Sequence, residues 1–361
     1  MRIVTIVGAR PQFIKAAVIS RLIANEYSGA ISEYCVHTGQ HYDHNMSKVF
    51  FQELLIPEPD INLEVGSGSH GRQTGEMLYK IEEALLQQKP DWVMVYGDTN
   101  STLAGALAAS KLNIPVAHVE AGLRSFNRKM AEEQNRVLTD HLASLLFCPT
   151  GVARQNLEDE GIKAGVEVVG DVMYDASLFY RSMVAEQRSV PPDNFYLLTL
   201  HRAENTDYPE RLTAIVEALN SLNNFKGVFP IHPRTRKALE REGLRLKAHI
   251  KVIEPVGFLE MLRLEEACEF IVTDSGGLQK EAYFFAKPCI TLRDQTEWVE
   301  TVEAGWNVIV GADKEKIVTA FNDIKSDNRS AHSPTFYGNG RAGAKIIEKI
   351  INIQGKSFKE N

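Results

Sequence analysis

Residues Thr273-Asp274-Ser275-Gly276-Gly277-Leu278-Gln279-Lys280-Glu281-Ala282 follow the apolar run Phe270-Ile271-Val272 and precede Tyr283-Phe284-Phe285, which reads as strand, tight turn and helix. Ser275, Gly276 and Gly277 then fall in the first helical turn. Backbone N–H groups there have no intrahelical acceptor, and glycine lets an anion approach the bare chain. Glu281, one turn further on, is placed to accept from the two hydroxyls of a ribose. Together these residues describe a grip on a nucleotide diphosphate, although an ordinary strand-to-helix turn with a serine N-cap has the same local pattern. The first strand closes similarly. Gly8-Ala9-Arg10-Pro11-Gln12-Phe13-Ile14-Lys15 sets two cations, Arg10 and Lys15, around a helix opening, where they suit a diphosphate. It is not the Gly-x-Gly-x-x-Gly fingerprint, which argues against NAD.

Other strand-like runs also end on titratable residues. Trp92–Tyr96 leads into Gly97-Asp98-Thr99, and Val116–Val119 leads into Glu120-Ala121-Gly122-Leu123-Arg124. If those two strands are neighbours, Asp98 and Glu120 share a pocket; as an isolated residue, Asp98 also reads as a helix N-cap. Glu132 and Glu133 open a helix that continues through Asn135 and Arg136, where acids also suit the macrodipole. Tyr196–Leu200 ends in His201-Arg202-Ala203-Glu204-Asn205, which makes His201 the leading acid or base near neutral pH. Pro230-Ile231-His232-Pro233-Arg234 and Arg293-Asp294-Gln295-Thr296-Glu297 repeat the placement. So many charged strand ends in one chain suit acid/base chemistry on what a bound nucleotide carries.

Positioning them requires parallel sheets, whose ligands lie beyond the carboxyl ends of the strands. A βα alternation runs through the first half and, after the polar stretch around Pro191 and Pro192, resumes in the second. The expected fold class is α/β, with two parallel-sheet domains, 1–170 and 171–361, bordering a cleft. The amphipathic helix at about 341–353 is expected to cross back to the first domain, and the polar residues from Gln354 to Asn361 to fray. A chain of 361 residues exceeds the usual size of one core.

Composition removes several classes. A net charge of −7 gives no general attraction for nucleic acid or anionic lipid. No apolar run approaches the roughly 18 residues of a membrane span. The first strand starts at once, without an export-signal pattern, so a cytoplasmic protein is expected. Cys35, Cys148, Cys268 and Cys289 are widely spaced and form no metal or redox pair; they read as small buried hydrophobes.

The motifs, taken in order, resemble those of the non-hydrolysing UDP-N-acetylglucosamine 2-epimerases. They are Gly8-x-Arg10-Pro11 to Lys15, His37-Thr38-Gly39-Gln40-His41, Gly97-Asp98-Thr99, Glu120 to Arg124, Glu132-Glu133-x-Asn135-Arg136, His201-Arg202-x-Glu204-Asn205, Thr273 to Gln279, and Arg293-Asp294-x-Thr296-Glu297. The resemblance covers nearly the whole chain. It implies two Rossmann-like halves in the GT-B architecture, a homodimer, no redox cofactor and no metal. It also implies inversion at C2 of a UDP-sugar by anti elimination of UDP and its return. By motif, Asp98, Glu120, Glu132 and His201 form the implied acid/base set. Arg10, Ser275, Gly276, Gly277 and Glu281 form the UDP grip, with Lys15 and Arg293 as helpers.

The chain departs from the family pattern at Ala131, at Gly8-Ala9-Arg10-Pro11-Gln12 and at Thr296-Glu297-Trp298-Val299-Glu300. The last two variants are similar to the branch acting on UDP-2,3-diacetamido-2,3-dideoxyglucuronic acid for bacterial O-antigen. The extra carboxylate of that sugar would call for a cation from Arg124, Arg128, Lys129 or Arg202. Competing readings are a GT-B glycosyltransferase, a hydrolysing 2-epimerase and a non-catalytic sugar-nucleotide sensor.

Overall fold

A computed structural model of the chain describes residues 1–40, 51–52, 54–184, 194–325 and 336–357. His41, Pro191, Pro192 and the tail 358–361 lie outside the described residues. The chain divides into Met1–Leu178 with Thr335–Asn361, and Phe179–Pro334. The first crossing therefore falls after Leu178 rather than after residue 170, and the chain's last stretch belongs to the first unit.

The first unit is built on β1 (Arg2–Val7), β2 (Ser32–His37), β3 (Ile61–Asn62), β4 (Trp92–Tyr96), β5 (Val116–Val119), β6 (Leu145–Cys148) and β7 (Val166–Val168). They pair in parallel in the order β3-β2-β1-β4-β5-β6-β7. Parallel strands covered on both faces are nearly continuous apolar runs, and β1 and β4 are buried accordingly. Val4, Ile6, Val93 and Val95 pack against Met77, Ile81 and Leu85 of the helix His70–Gln88 and Ala104 and Ala108 of the helix Asn100–Lys111. The second helix lies close to the sheet. A Cβ on Gly105 would fall 2.9 Å from Ile6 Cδ1 and 3.1 Å from Val95 Cγ1.

The C-terminal helix Ala342–Ser357 packs on the helix Arg10–Leu22. Gly343 makes the approach possible, since a Cβ there would meet Val18 and Leu22 at 2.9 Å each. Asp175, on the helix Val172–Val184, accepts the Gly343 N–H at 2.9 Å and so caps the returning helix from outside. The Asp171 N–H donates to the Tyr337 carbonyl at 2.9 Å and fastens the turn that leads into it.

The second unit holds β8 (Tyr196–Thr199), β9 (Gly227–Pro230), β10 (Ile250–Ile253), β11 (Phe270–Thr273), β12 (Cys289–Thr291) and β13 (Asn307–Ile309), in the parallel order β10-β9-β8-β11-β12-β13. One core joins Leu198, Val272 and Ile290 to Ile215, Leu219 and Phe321. The ring of Phe321 meets Tyr196 and Phe270 edge-on at centroid distances of 5.0 and 5.1 Å. The two sheets make the chain α/β with two Rossmann-like units. Three edge strands, β3, β7 and β13, were not expected from sequence; each has three residues or fewer.

In each sheet the chain reverses its direction of winding, between β1 and β4 in the first and between β8 and β11 in the second. The crevice beyond the carboxyl ends at such a reversal is where open α/β sheets take ligands. Among the described residues no helix is long and apolar enough to cross a membrane.

Candidate active site

The loops at the first reversal are stitched together by Gln12, which is 2% exposed. Its Oε1 accepts the N–H groups of Gly8 and Ala9 at 2.8 and 3.0 Å, and its Nε2 donates to the Tyr96 carbonyl at 2.7 Å. The turn after β1 is thereby tied to that after β4, and Arg10 opens the helix there, half-buried. Thr99, not Asp98, caps the helix Asn100–Lys111, its hydroxyl accepting the Thr102 N–H at 3.3 Å. Asp98 is thus released from capping. Its Oδ2 accepts from Arg136 Nη2 at 2.5 Å.

Strands β4 and β5 are neighbours, and the Gly97 N–H that follows the first donates to the Val119 carbonyl of the second at 3.0 Å. Glu120 ends β5 in the left-handed region, with φ 73°, a strained setting for a non-glycine residue. Its Oε2 accepts from Lys15 Nζ in a buried ion pair. Lys15, named from sequence among the substrate-binding cations, is buried on the helix Arg10–Leu22 and directed at Glu120. Gly97 makes room for the pair. A Cβ there would lie 3.1 Å from Glu120 Oε2 and 3.3 Å from Lys15 Nζ.

Behind both turns lies a buried relay. His118 Nδ1 lies 2.6 Å from Asp140 Oδ1, and its Nε2 lies 2.8 Å from the Gly97 carbonyl oxygen. Asp140 also accepts the Gly122 N–H at 3.1 Å and Arg124 Nη1 at 2.7 Å. Burial pushes Asp140 toward protonation, but His118 and Arg124 outweigh it and hold its pKa below the ordinary carboxylate value. Arg124 donates onward to both carboxylate oxygens of Glu160 at 2.6 and 2.7 Å. It is therefore a buried structural cation, which corrects the expectation of a substrate carboxylate as its partner. Arg128 and Lys129 are exposed.

The adjacent glutamates diverge. Glu133 accepts the N–H groups of Ser125 and Phe126, each at 2.8 Å, and the Ser125 hydroxyl at 3.0 Å. Burial raises its pKa, but these donors and Arg136 bring it below the usual value. Glu132, half-buried at the start of the same helix, has no hydrogen-bond or ion-pair partner among the described residues. It remains available for chemistry.

At the second reversal the organising residue is Asp274, fully buried at the end of β11. Its carboxylate accepts the N–H groups of His201 at 3.0 Å and Arg202 at 2.9 Å, and the amide of Asn205 at 3.2 Å. His201 Nδ1 lies 3.4 Å from Asp274 Oδ1. Burial lowers the His201 pKa below the ordinary imidazole value, Asp274 opposes that, and Arg202, His232 and Arg234 reinforce it. Arg293, 2% exposed after β12, pairs with Glu297 at 3.0 Å and lies 3.4 Å from Glu204.

Ser275 is the N-cap position of the helix Gly276–Phe284, and the N–H groups of Gly276 and Gly277 have no acceptor among the described residues. A Cβ on Gly276 would fall 2.8 Å from Glu297 Oε1, 3.5 Å from Arg202 Nη2 and 3.7 Å from Arg293 Nη1, so two guanidinium groups border this helix start. Gly277 is exposed, and its missing Cβ would lie 4.0 Å from Glu281 Oε2. Glu265 stands buried behind Glu281; burial, then the Glu281 charge, pushes its pKa well above the usual carboxylate range. Anion donors and a carboxylate one turn apart fit the diphosphate and ribose of a nucleotide.

The sequence matches the UDP-N-acetylglucosamine 2-epimerase family over residues 24–351. The chain belongs to that family. Among its epimerase relatives, a UDP-N-acetylglucosamine 2-epimerase homolog of Methanococcus maripaludis is 53% identical over 98% of this chain and 100% of its own. The UDP-2,3-diacetamido-2,3-dideoxy-D-glucuronate 2-epimerase of Pseudomonas aeruginosa is 52% identical over the same shares, 98% and 100%. The crystal structure of the Methanocaldococcus jannaschii UDP-GlcNAc 2-epimerase, in complex with UDP-GlcNAc and UDP, superposes with a TM-score of 0.88 at 48% identity, covering 97% of this chain and 99% of that one. In this epimerase the sequence alone assigns no role to Arg136, Asp274, His118 or Asp140. A signal was present for His118 alone, as the one polar residue of the strand Val116–Val119.

Proposed function

We propose that the chain is a non-hydrolysing 2-epimerase of a UDP-2-acetamido sugar, with Asp98, Glu120, Glu132 and His201 as its acid/base set. The carrying observation is that two carboxylates on neighbouring strand ends, Asp98 and Glu120, each sit against a cation, Arg136 and Lys15. Abstraction of a weakly acidic C2 hydrogen calls for a positioned, ionised carboxylate.

The first half-reaction moves the C2 proton to a carboxylate. The C–H electron pair forms the C1=C2 bond of a 2-acetamidoglucal, and the C1–O bond breaks with its electrons leaving on UDP. The second returns UDP to C1 and a proton to the opposite face of C2. Arg10, Ser275, Gly276, Gly277, Glu281 and Arg293 hold the nucleotide, with Arg293 and the free N–H groups supporting the departing diphosphate. Lys15 serves the reaction through Glu120. Neutral His201 at pH 7 is in the form that accepts a proton.

The substrate is UDP-GlcNAc or its 2,3-diacetamido-glucuronate analogue, and the product feeds surface-polysaccharide synthesis in the cytoplasm from a homodimeric enzyme. The high identity to the Pseudomonas aeruginosa relative supports the second sugar. Incubation with each UDP-sugar in D₂O, followed by NMR, tests the reading. Deuterium at C2 with inversion is expected for one or both. Sugar transfer without exchange would replace it with a glycosyltransferase, and release of free sugar with a hydrolysing enzyme.

A further inference from the structure

A trans peptide group holds its C=O and N–H on opposite sides, so fixing one aims the other. In the second unit the Gly276 carbonyl accepts from Trp298 Nε1 at 2.8 Å. The N–H of that same peptide belongs to exposed Gly277, in the first turn of the helix Gly276–Phe284, with no acceptor among the described residues. An indole bond on one end of the peptide is therefore paired with a free donor on the other.

The indole is itself firmly held. Trp298 is 3% exposed, and its backbone N–H donates to Thr296 Oγ1 at 3.1 Å. That hydroxyl donates to Gln279 Oε1 at 2.6 Å, returning to the same helix. Lys280, 2% exposed, sets its Nζ 4.6 Å from the centroid of the indole ring. Trp298 is also one of the residues at which the sequence departs from the family pattern.

We propose that Trp298 is a positioning residue for the diphosphate, aiming and polarising the Gly277 N–H through the Gly276 carbonyl. A carbonyl that accepts a donor makes the attached N–H a stronger donor, and the effect is larger where water is excluded. A buried indole N–H needs some acceptor in any fold. Here it takes the carbonyl whose peptide borders the anion cradle. The inference rests on the reading that this cradle holds the diphosphate of a UDP-sugar.

Titration calorimetry with UDP and with uridine, which has the base and ribose but no phosphate, tests it. Trp298→Phe keeps an aromatic ring beside Lys280 and deletes the donor. Trp298→β-(3-benzothienyl)alanine keeps the full bicycle, so it answers even if the phenylalanine variant folds poorly. Both are expected to lose about three- to tenfold in UDP affinity, the range of one hydrogen bond, with uridine affinity unchanged. UDP affinity retained in the benzothienyl variant overturns the proposal. So does an equal loss for UDP and uridine, which would mark Trp298 as packing alone. A wild-type protein that binds no UDP would sink the nucleotide reading and the proposal with it, a result distinct from intact UDP binding in the variants.

Discussion

Lys15 and Glu120 form an ion pair whose side chains are 10% and 8% exposed, bridging the helix that follows β1 and the turn that ends β5. Breaking a buried pair strands one charge, at a cost of about 3–5 kcal/mol. Lys15→Met should lower stability by that order and cut turnover about a hundredfold or more. The double variant Lys15→Met, Glu120→Gln should regain most of the stability and none of the turnover. Urea denaturation and steady-state rates check both; full additivity of the two losses would contradict the pair.

The neighbouring glutamates should separate cleanly. Glu133 is caged by backbone donors and Glu132 is not. Glu133→Gln is expected to cost about 1–3 kcal/mol, because an amide NH₂ would face N–H donors. Glu132→Gln should melt like wild type and lose about two to four orders of magnitude in turnover. Thermal denaturation beside single-turnover rates distinguishes them, and a stable, active Glu132→Gln removes that residue from the catalytic set.

Asp98→Asn keeps the shape of the side chain but removes the charge that meets Arg136 at 2.5 Å. Turnover should fall by about two to four orders with the fold retained. Circular dichroism and C2 proton exchange measure the two halves of that statement. Exchange at the wild-type rate would exclude Asp98 from proton transfer.

His201 should set the acid limb of the rate profile. Its pKa is lowered from 6.5, chiefly by burial, so the neutral form persists into mildly acidic solution. The rate is expected to hold as pH falls to about 6.5 and to decline only below it. His201→Gln should erase that limb along with most of the activity. A limb above pH 7 in the wild type would assign it to another group.

Asp175 gives a stability signature instead. Its pKa is raised from 3.8 to about 6, first by burial, then by Asp171, against the amides of Gly343 and Ala342 and the charge of Lys345. The folded state therefore favours the protonated form. The corresponding stability is full below about pH 3.8 and is lost as pH rises through about 6, by roughly 3 kcal/mol. Asp175→Asn cannot ionise, so the gap between variant and wild type should shift in the variant's favour across that window. Urea midpoints at pH 4.5 and 7 measure it, and a constant gap would contradict the assignment.

The strands that carry the site were legible because buried parallel strands are apolar runs, and their last residues are easily counted. Gly97-Asp98 and Glu120 were found in this way, and β4 and β5 proved to be neighbours. What supports them was not. Lys15 and Glu120 are 105 residues apart, and Arg136 and Asp98 are 38 apart. Such pairings depend on sheet order, which periodicity does not encode. Arg124 read as a cation for a substrate carboxylate because a sequence cannot show that Asp140 and Glu160 converge on it. Asp274 lay within a quoted motif, yet its work is done through backbone N–H groups of β8's loop, invisible until the strands are aligned.

The returning helix Ala342–Ser357 makes the second unit an uninterrupted stretch of chain and the first a composite of both chain ends. Dissection of the protein is accordingly lopsided. Residues 179–334 are one continuous segment, whereas a fragment stopping at Leu178 would bare Val18 and Leu22 where Gly343 now lies. A split reporter or a circular permutant should therefore keep the last helix with the first half of the chain.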